Sequence, residues 1–233
     1  SSGIILTASH NPAKYNGYKC YNPKGYQMTD EEAAETYGFI QKVDYFTGIK
    51  KVDFDKAVAD GMIEYIGQDV IELFLDEVQK QCINPDIVKN ADLKVIYTPL
   101  NGTGNKPVRR ILDRIGVKNV YVVPEQENPD GNFPTCPFPN PEIKQVFELG
   151  LEMNKTINAD LLLATDPDCD RVGIAVPDDK GEPVLLSGNE VGAMLLNYIL
   201  SDRKAKGTLP SSAIAVKSFV STDLAEVIAK KYN

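Results

Sequence analysis

The sequence predicts an α/β protein of mixed, mostly parallel sheets covered by helices. Three observations predict it. With 233 residues, 42% apolar and 25% charged, the chain can bury one or two sizeable cores and has an ordinary composition. From Asp92 onward, short apolar runs alternate with stretches of helical periodicity in a β-α-β-α-β order. An acidic loop over 166–171 directly follows one apolar run, at the strand end where α/β proteins place ligands.

Ile4-Ile5-Leu6 reads as a strand. Nothing before it could pair with it, so upstream structure is expected. Residues 15–28 read as short extended pieces broken by Gly17, Pro23 and Gly25. Thr29-Asp30-Glu31-Glu32 is a capping box that should open a helix running to about Val43. A loop, a short helix over 54–59 and a strand over 62–66 come next. Val70, Leu73, Phe74 and Val78 then fall at helical spacing in a helix over 68–82.

The run over 93–97 reads as a buried strand, 98–105 as a glycine-bearing turn, and 106–115 as a helix with Pro107 in its first turn. A strand over 117–123 is followed by a proline-rich stretch, 124–141, too punctuated for regular structure. A helix over 142–155 leads to a strand over 160–164 that feeds the acidic loop. A strand over 172–176 returns and ends in a turn at 178–181. A helix over 189–200, a strand over 213–216 and a helix over 222–231 complete the reading. A strand between two helices buries too little to stand alone.

The formal charge of −8 argues against bulk attraction to nucleic acid or an anionic membrane. No apolar stretch approaches the roughly 20 residues that cross a bilayer, and no basic, then apolar leader opens the chain. Cytoplasm is the expected compartment. Cys20, Cys82, Cys136 and Cys169 are scattered, without zinc spacing, and read as reduced thiols. Lys14, Lys19, Lys24 and the sole histidine, His10, lie close to Ser9, an enrichment suited to a small anion or simply a solvated loop.

Two segments carry the chemistry. Ser9 sits in Thr7-Ala8-Ser9-His10-Asn11-Pro12, where Asn-Pro favours a tight turn exposing the hydroxyl. Serine needs a base, a cation or a dipole to act as a nucleophile, and His10 or Lys19 could serve. The alternative is a polar turn. In Asp166-Pro167-Asp168-Cys169-Asp170-Arg171, an extended backbone would project Asp166, Asp168 and Asp170 to one face. Three converging carboxylates repel unless a cation joins them, and hard oxygen ligands select Mg²⁺, Mn²⁺ or Ca²⁺ over zinc. Arg171 adds a guanidinium suited to phosphate oxygens. The alternative is a solvated acidic turn.

An EF-hand fails, because loop positions six and twelve are Arg171 and Pro177. A haloacid-dehalogenase-type nucleophile would want threonine or valine where Asp170 stands. Asn101-Gly102-Thr103-Gly104 lacks the third Rossmann glycine and the P-loop Gly-Lys, so its glycines are read as shaping a turn. A serine nucleophile with a triple-aspartate cation site is what metal-assisted phosphoryl transfer through phosphoserine requires.

These motifs resemble the α-D-phosphohexomutases, the family of phosphoglucomutase and phosphomannomutase. The resemblance runs through Thr7–Pro12, Tyr15-Asn16-Gly17-Tyr18-Lys19, Tyr97–Gly104, Pro139-Asn140-Pro141-Glu142 and Asp166–Arg171. It implies a partial multidomain architecture: 1–66 as the C-terminal part of a phosphoserine-loop domain, 67–183 as the metal-binding α/β domain, and 184–233 as the start of a sugar-binding domain. It further implies a phosphosugar mutase exchanging 1- and 6-phosphates of a hexose through phosphoserine and a bisphosphate. Ser9 would be the phosphoserine and, with Asp166, Asp168 and Asp170, would ligate Mg²⁺. Lys19 would be the acid/base, His10 would orient the loop, and Arg171 would contact the phosphoryl group. Glucose 1,6-bisphosphate would be the activator and a phosphosugar the substrate.

The resemblance covers only part of a four-domain architecture. It lacks the first domain's early arginine, the third-domain sugar loop and the fourth domain, so the chain alone is expected to turn over little or no sugar. Two rivals are a non-catalytic phosphoprotein fragment and a metal-dependent phosphatase with an aspartyl intermediate.

Overall fold

The structure is a computed structural model describing residues 2–232. By internal contacts the chain divides into two compact units, one of residues 1–8 and 14–74, the other of 9–13 and 75–233.

In the first unit, β1 (Gly3–Leu6) pairs antiparallel with β2 (Tyr18–Tyr21), Gly3 opposite Tyr21 and Leu6 opposite Tyr18. The N-terminal strand therefore has a partner downstream, in the stretch read as short extended pieces. Helix α1 (Asp30–Ile40) opens on the expected capping box: the Glu32 amide donates to Thr29 Oγ1 at 3.4 Å, and the Thr29 amide to Glu32 Oε2 at 2.9 Å. Helix α2 (Phe54–Ala59) is capped by Asp53, whose carboxylate accepts from the Lys56 amide at 2.9 Å. No strand forms over 62–66. Those residues follow a left-handed Gly61 and pair with no other strand. Helix α3 (Gln68–Gln79) crosses from the first unit into the second and stops short of the expected Cys82.

In the second unit, α4 (Pro85–Asn90) is a short helix the sequence reading missed, with proline at its first position. The sheet runs β4-β3-β5-β6-β7. Its members are β3 (Lys94–Thr98), β4 (Asn119–Val122), β5 (Leu161–Thr165), β6 (Val172–Pro177) and β7 (Pro183–Leu186). Strand β3 pairs parallel with β4 and with β5, whereas β5–β6 and β6–β7 are antiparallel. Helices α5 (Asn105–Ile115), α6 (Pro124–Glu127) and α7 (Glu148–Ile157) complete the crossovers, α7 after a 3-10 turn at Lys144–Phe147. The expected helix over 142–155 is thus split. Asn158 ends α7 in a left-handed conformation, which asparagine tolerates.

The core gathers on this sheet. Ile96, Val123, Val146, Phe147, Leu162, Ala164 and Ala175 are buried together, with Leu149, Leu151 and Met153 of α7 packed against them. The side chains of β3 and β5 are mostly buried, as parallel strands covered on both faces should be. Helix α8 (Gly188–Ala205) starts on a second capping box, Ser187 with Glu190, and α9 (Leu224–Tyr232) packs on it. The strand expected over 213–216 does not form: Ile214 and Val216 are exposed and pair with no strand. A β-branched run needs a neighbouring edge to become a strand.

Candidate active site

Strand β5 ends at Thr165, and the chain then turns sharply. The Cys169 amide donates to the Asp166 carbonyl at 2.9 Å, and Cys169 takes a left-handed φ of 61°. The acidic loop is therefore a compact turn, not the extended segment expected from i, i+2, i+4 alternation. The convergence is nevertheless real. One oxygen each from Asp166, Asp168 and Asp170 lies within 4.8 Å of the others. The three range from buried Asp166 through half-buried Asp168 to exposed Asp170.

Asp166 is the hub of the loop. Its Oδ1 accepts from the Asp170 amide at 3.1 Å and the Arg171 amide at 2.9 Å. Its Oδ2 accepts from the Ser9 hydroxyl at 3.0 Å, across 157 residues of sequence. The serine and the carboxylate cluster are thus in direct contact within one compact unit. Ser9 itself has a left-handed φ of 53°, as a residue does when its surroundings over-determine it.

His10 Nδ1 lies 3.1 Å from Ser9 Oγ, and its ring meets Phe138 edge-on with centroids 5.6 Å apart. Burial, then the nearby Arg171 charge, holds the His10 ring below its ordinary pKa. A neutral ring can share a proton with Ser9 in either direction. The Arg171 side chain is exposed, and its backbone amide serves the loop. Lys19 belongs to the other unit, on β2 opposite Ile5.

Burial, then a hydrogen bond that the protonated carboxyl donates to Asp168, pushes the Asp166 carboxyl up to about 6. Two carboxylates that must share a proton at one spot are electrostatically frustrated, and a cation would relieve them. The donors are hard oxygens, which fit Mg²⁺ or Ca²⁺ rather than a thiophilic metal. A cavity of about 570 Å³ between α8, the segment 215–222 and α9 lies elsewhere, and none of these residues lines it.

Sequence reasoning missed what supports the loop from beneath. The Thr103 amide and hydroxyl both donate to the Pro167 carbonyl, at 2.9 and 3.1 Å. The Tyr97 hydroxyl bonds Thr165 Oγ1 at 2.8 Å. Burial keeps that phenol well above its ordinary pKa, hence neutral. The signal for the contact was a threonine between two glycines at the end of a buried strand.

Sequence models of the phosphoglucomutase/phosphomannomutase family match twice: α/β/α domain I over residues 1–46 and α/β/α domain II over residues 72–181. The chain belongs to that family. The second match contains the acidic loop, and the first contains Ser9. Among curated relatives, a phosphoglucomutase of Staphylococcus saprophyticus is 36% identical over 233 residues, covering 100% of this chain and 41% of its own. A phosphoribomutase of Saccharomyces cerevisiae is 35% identical over 209 residues, covering 85% of this chain and 34% of its own. The chain thus spans about 40% of the length of the curated relatives it matches.

Solved structures agree on the fold. A phosphoglucomutase/phosphomannomutase family protein from Burkholderia thailandensis aligns with a TM-score of 0.58 at 22% identity, covering 86% of this chain and 38% of its own. An N-acetylphosphoglucosamine mutase from Aspergillus fumigatus, in complex with GlcNAc-6P and magnesium, aligns with a TM-score of 0.54 at 17% identity. That alignment covers 89% of this chain and 49% of its own. No helix among the described residues is long and apolar enough to cross a membrane.

Proposed function

We propose that this chain carries the phosphoserine and metal parts of a phosphosugar mutase site, in a protein exchanging 1- and 6-phosphates of a hexose through a bisphosphate. The observation that supports this reading best is the 3.0 Å hydrogen bond from Ser9 Oγ to Asp166, the most buried of three converging carboxylates. A hydroxyl held against a cation site is where a transferable phosphoryl group would sit.

In this reading phospho-Ser9 loses its Oγ–P bond as a sugar hydroxyl forms a new O–P bond. Lys19 takes the hydroxyl proton in one direction and returns it in the other. The bisphosphate then gives its second phosphoryl group back to Ser9, closing the cycle. Arg171 contacts the phosphoryl group, and His10 holds the Ser9 loop through its contacts with Phe138 and Oγ. Asp166, Asp168 and Asp170, with Ser9, would hold Mg²⁺, which supplies positive charge to the transferring phosphoryl group. The magnesium in the fungal mutase complex supports that choice of ion.

We further propose the division 1–66, 67–183 and 184–233, a cytoplasmic location, phosphosugar as the partner, and glucose 1,6-bisphosphate as phosphoryl donor and activator. Because the chain spans about 40% of its relatives' length, the reading assigns it a half-reaction rather than steady turnover.

An aspartyl phosphatase is disfavoured by one detail: it gives no role to the Ser9 hydroxyl, which is held against Asp166 Oδ2 at 3.0 Å. The test is peptide mass spectrometry of the chain before and after exposure to glucose 1,6-bisphosphate with Mg²⁺. A stable, metal-dependent phosphate on Ser9, lost in Asp168→Ala, is the expected result. Phosphate on an aspartate, or on no residue, overturns the reading.

A further inference from the structure

We infer that the turn 98–104 is the part that sets the geometry of the acidic loop, with Thr103 as its positioning residue. The inference rests on the metal-site reading above and adds to it which residues hold the ligands in place.

The turn is held rigidly from one side. Leu100 and Asn101 adopt left-handed φ values of 49° and 57°, two in succession, which side-chain-bearing residues do only when constrained. A buried polar network supplies the constraint. Thr98 Oγ1 donates to Gln126 Oε1 at 2.7 Å and accepts from the Leu100 amide at 3.1 Å. The Asn101 amide donates to the Gln126 carbonyl at 2.8 Å, and its side chain to the carbonyls of Glu125 and Asn128 at 3.2 and 2.8 Å. Such a network, fully bonded in low dielectric, resists deformation.

On its other side the turn grips the acidic loop. Pro167 lies between two candidate ligands, and its carbonyl receives both Thr103 donors. That carbonyl shares a peptide plane with the Asp168 amide, so fixing the oxygen fixes the direction in which Asp168 leaves the chain. Gly102 makes the approach possible: a Cβ there would stand 2.4 Å from Pro167 Cα. A Cβ on Gly104 would fall within 2.9 Å of Tyr97, Thr165 and Cys169. At Gly102 the turn and the loop are therefore fitted backbone to backbone.

The test is Mn²⁺ titration of the full chain, read by the spin resonance of free Mn²⁺, for the wild type, Thr103→Val, Thr103→Ser and Asp168→Asn. Thr103 is exposed, so the valine variant keeps its fold, as its melting temperature will report. Thr103→Val should weaken Mn²⁺ about tenfold at an unchanged melting temperature, the low end for losing a partner that orients a ligand. Thr103→Ser should restore wild-type affinity. Equal affinity in the valine variant, or equal loss in the serine variant, overturns the inference while the metal site stands. A wild type whose Mn²⁺ binding is absent, or indifferent to Asp168→Asn, overturns the metal reading and this inference with it.

Discussion

Strand β5 is buried along most of its length and hands Asp166 to the site, whereas β1, three residues before Ser9, buries none of its four side chains. The same contrast separates the units. Ile96, Phe147, Leu162 and their neighbours form a continuous core in the second unit, while Ala57 is the buried apolar side chain of the first among the described residues. The acidic loop thus leaves a strand that is fixed by tertiary packing. Ser9 is held by its hydrogen bond to Asp166 and by the neighbouring His10, whose ring meets Phe138 edge-on. The lesson is that the cation half of the site depends on the sheet core and should be indifferent to the β1–β2 hairpin.

The largest effect that would break this comparison is in the core. Leu162 on β5 is 1% exposed and faces Ala175 across the antiparallel pair. Leu162→Ala should cost about 2–5 kcal/mol through lost burial and a residual cavity. Chemical denaturation followed by circular dichroism measures it. A loss below about 1 kcal/mol would mean the second unit is not the cooperative core.

The next effect isolates the frustrated carboxylate. Asp166 has its folded pKa raised from 3.8 to about 6, so the native state holds its proton more tightly than the unfolded chain. In metal-free protein its contribution to stability is therefore fully present below pH 4 and lost as pH rises through about 6. Asp166→Asn should match the wild type near pH 4. By pH 7.5 it should be more stable by about 1–3 kcal/mol, since each tenfold change in proton affinity is worth about 1.4 kcal/mol. Saturating Mg²⁺ should reverse that order at pH 7.5 by stabilising the wild type alone. Melting curves of both proteins at the two pH values, with and without Mg²⁺, decide it.

That carboxylate also marks the limit of what the sequence could say. The apolar runs of β3 and β5 were legible because buried parallel strands leave continuous apolar runs, and the capping box of α1 because its chemistry is local. Strand β7 was not, since Pro183 and Glu182 disguise a hairpin whose apolar residues, Val184 to Leu186, number three. The strand read over 62–66 has the right residues and no partner, a matter decided by distant chain. In the site, three aspartates announced a cation, but the reason for their convergence was misread as strand alternation. The turn is made instead by amides donating to Asp166 and by Thr103 gripping Pro167 from 64 residues away. A threonine between two glycines marks the residue, but the distant carbonyl it grips has no local signature.

A smaller effect tests the first unit on its own terms. Thr29 caps α1, a helix with no buried side chains, so its stability rests on local terms. Thr29→Ala should cost about 1 kcal/mol, typical of a lost N-cap. The cost should appear as faster amide exchange within α1 and leave exchange in β3 and β5 unchanged. Equal acceleration in the sheet would mean the two units unfold as one.

The smallest effect is the sharpest. Leu6 is 68% exposed and sits opposite Tyr18, itself 63% exposed, at the end of the hairpin nearest Ser9 in sequence. Removing its side chain uncovers nothing buried, so Leu6→Ser should change stability by no more than about 0.5 kcal/mol. Mn²⁺ affinity should stay within twofold, because the amides that donate to Asp166 and the Thr103 hydroxyl that donates to Pro167 all lie outside β1. The level of Ser9 phosphorylation can change without either of those moving, since the hairpin leads directly into the serine segment. A loss above about 1.5 kcal/mol would show that the hairpin's apolar side is covered in the folded chain. The contrast between a packed sheet and an unpacked hairpin would then fail at its weaker end.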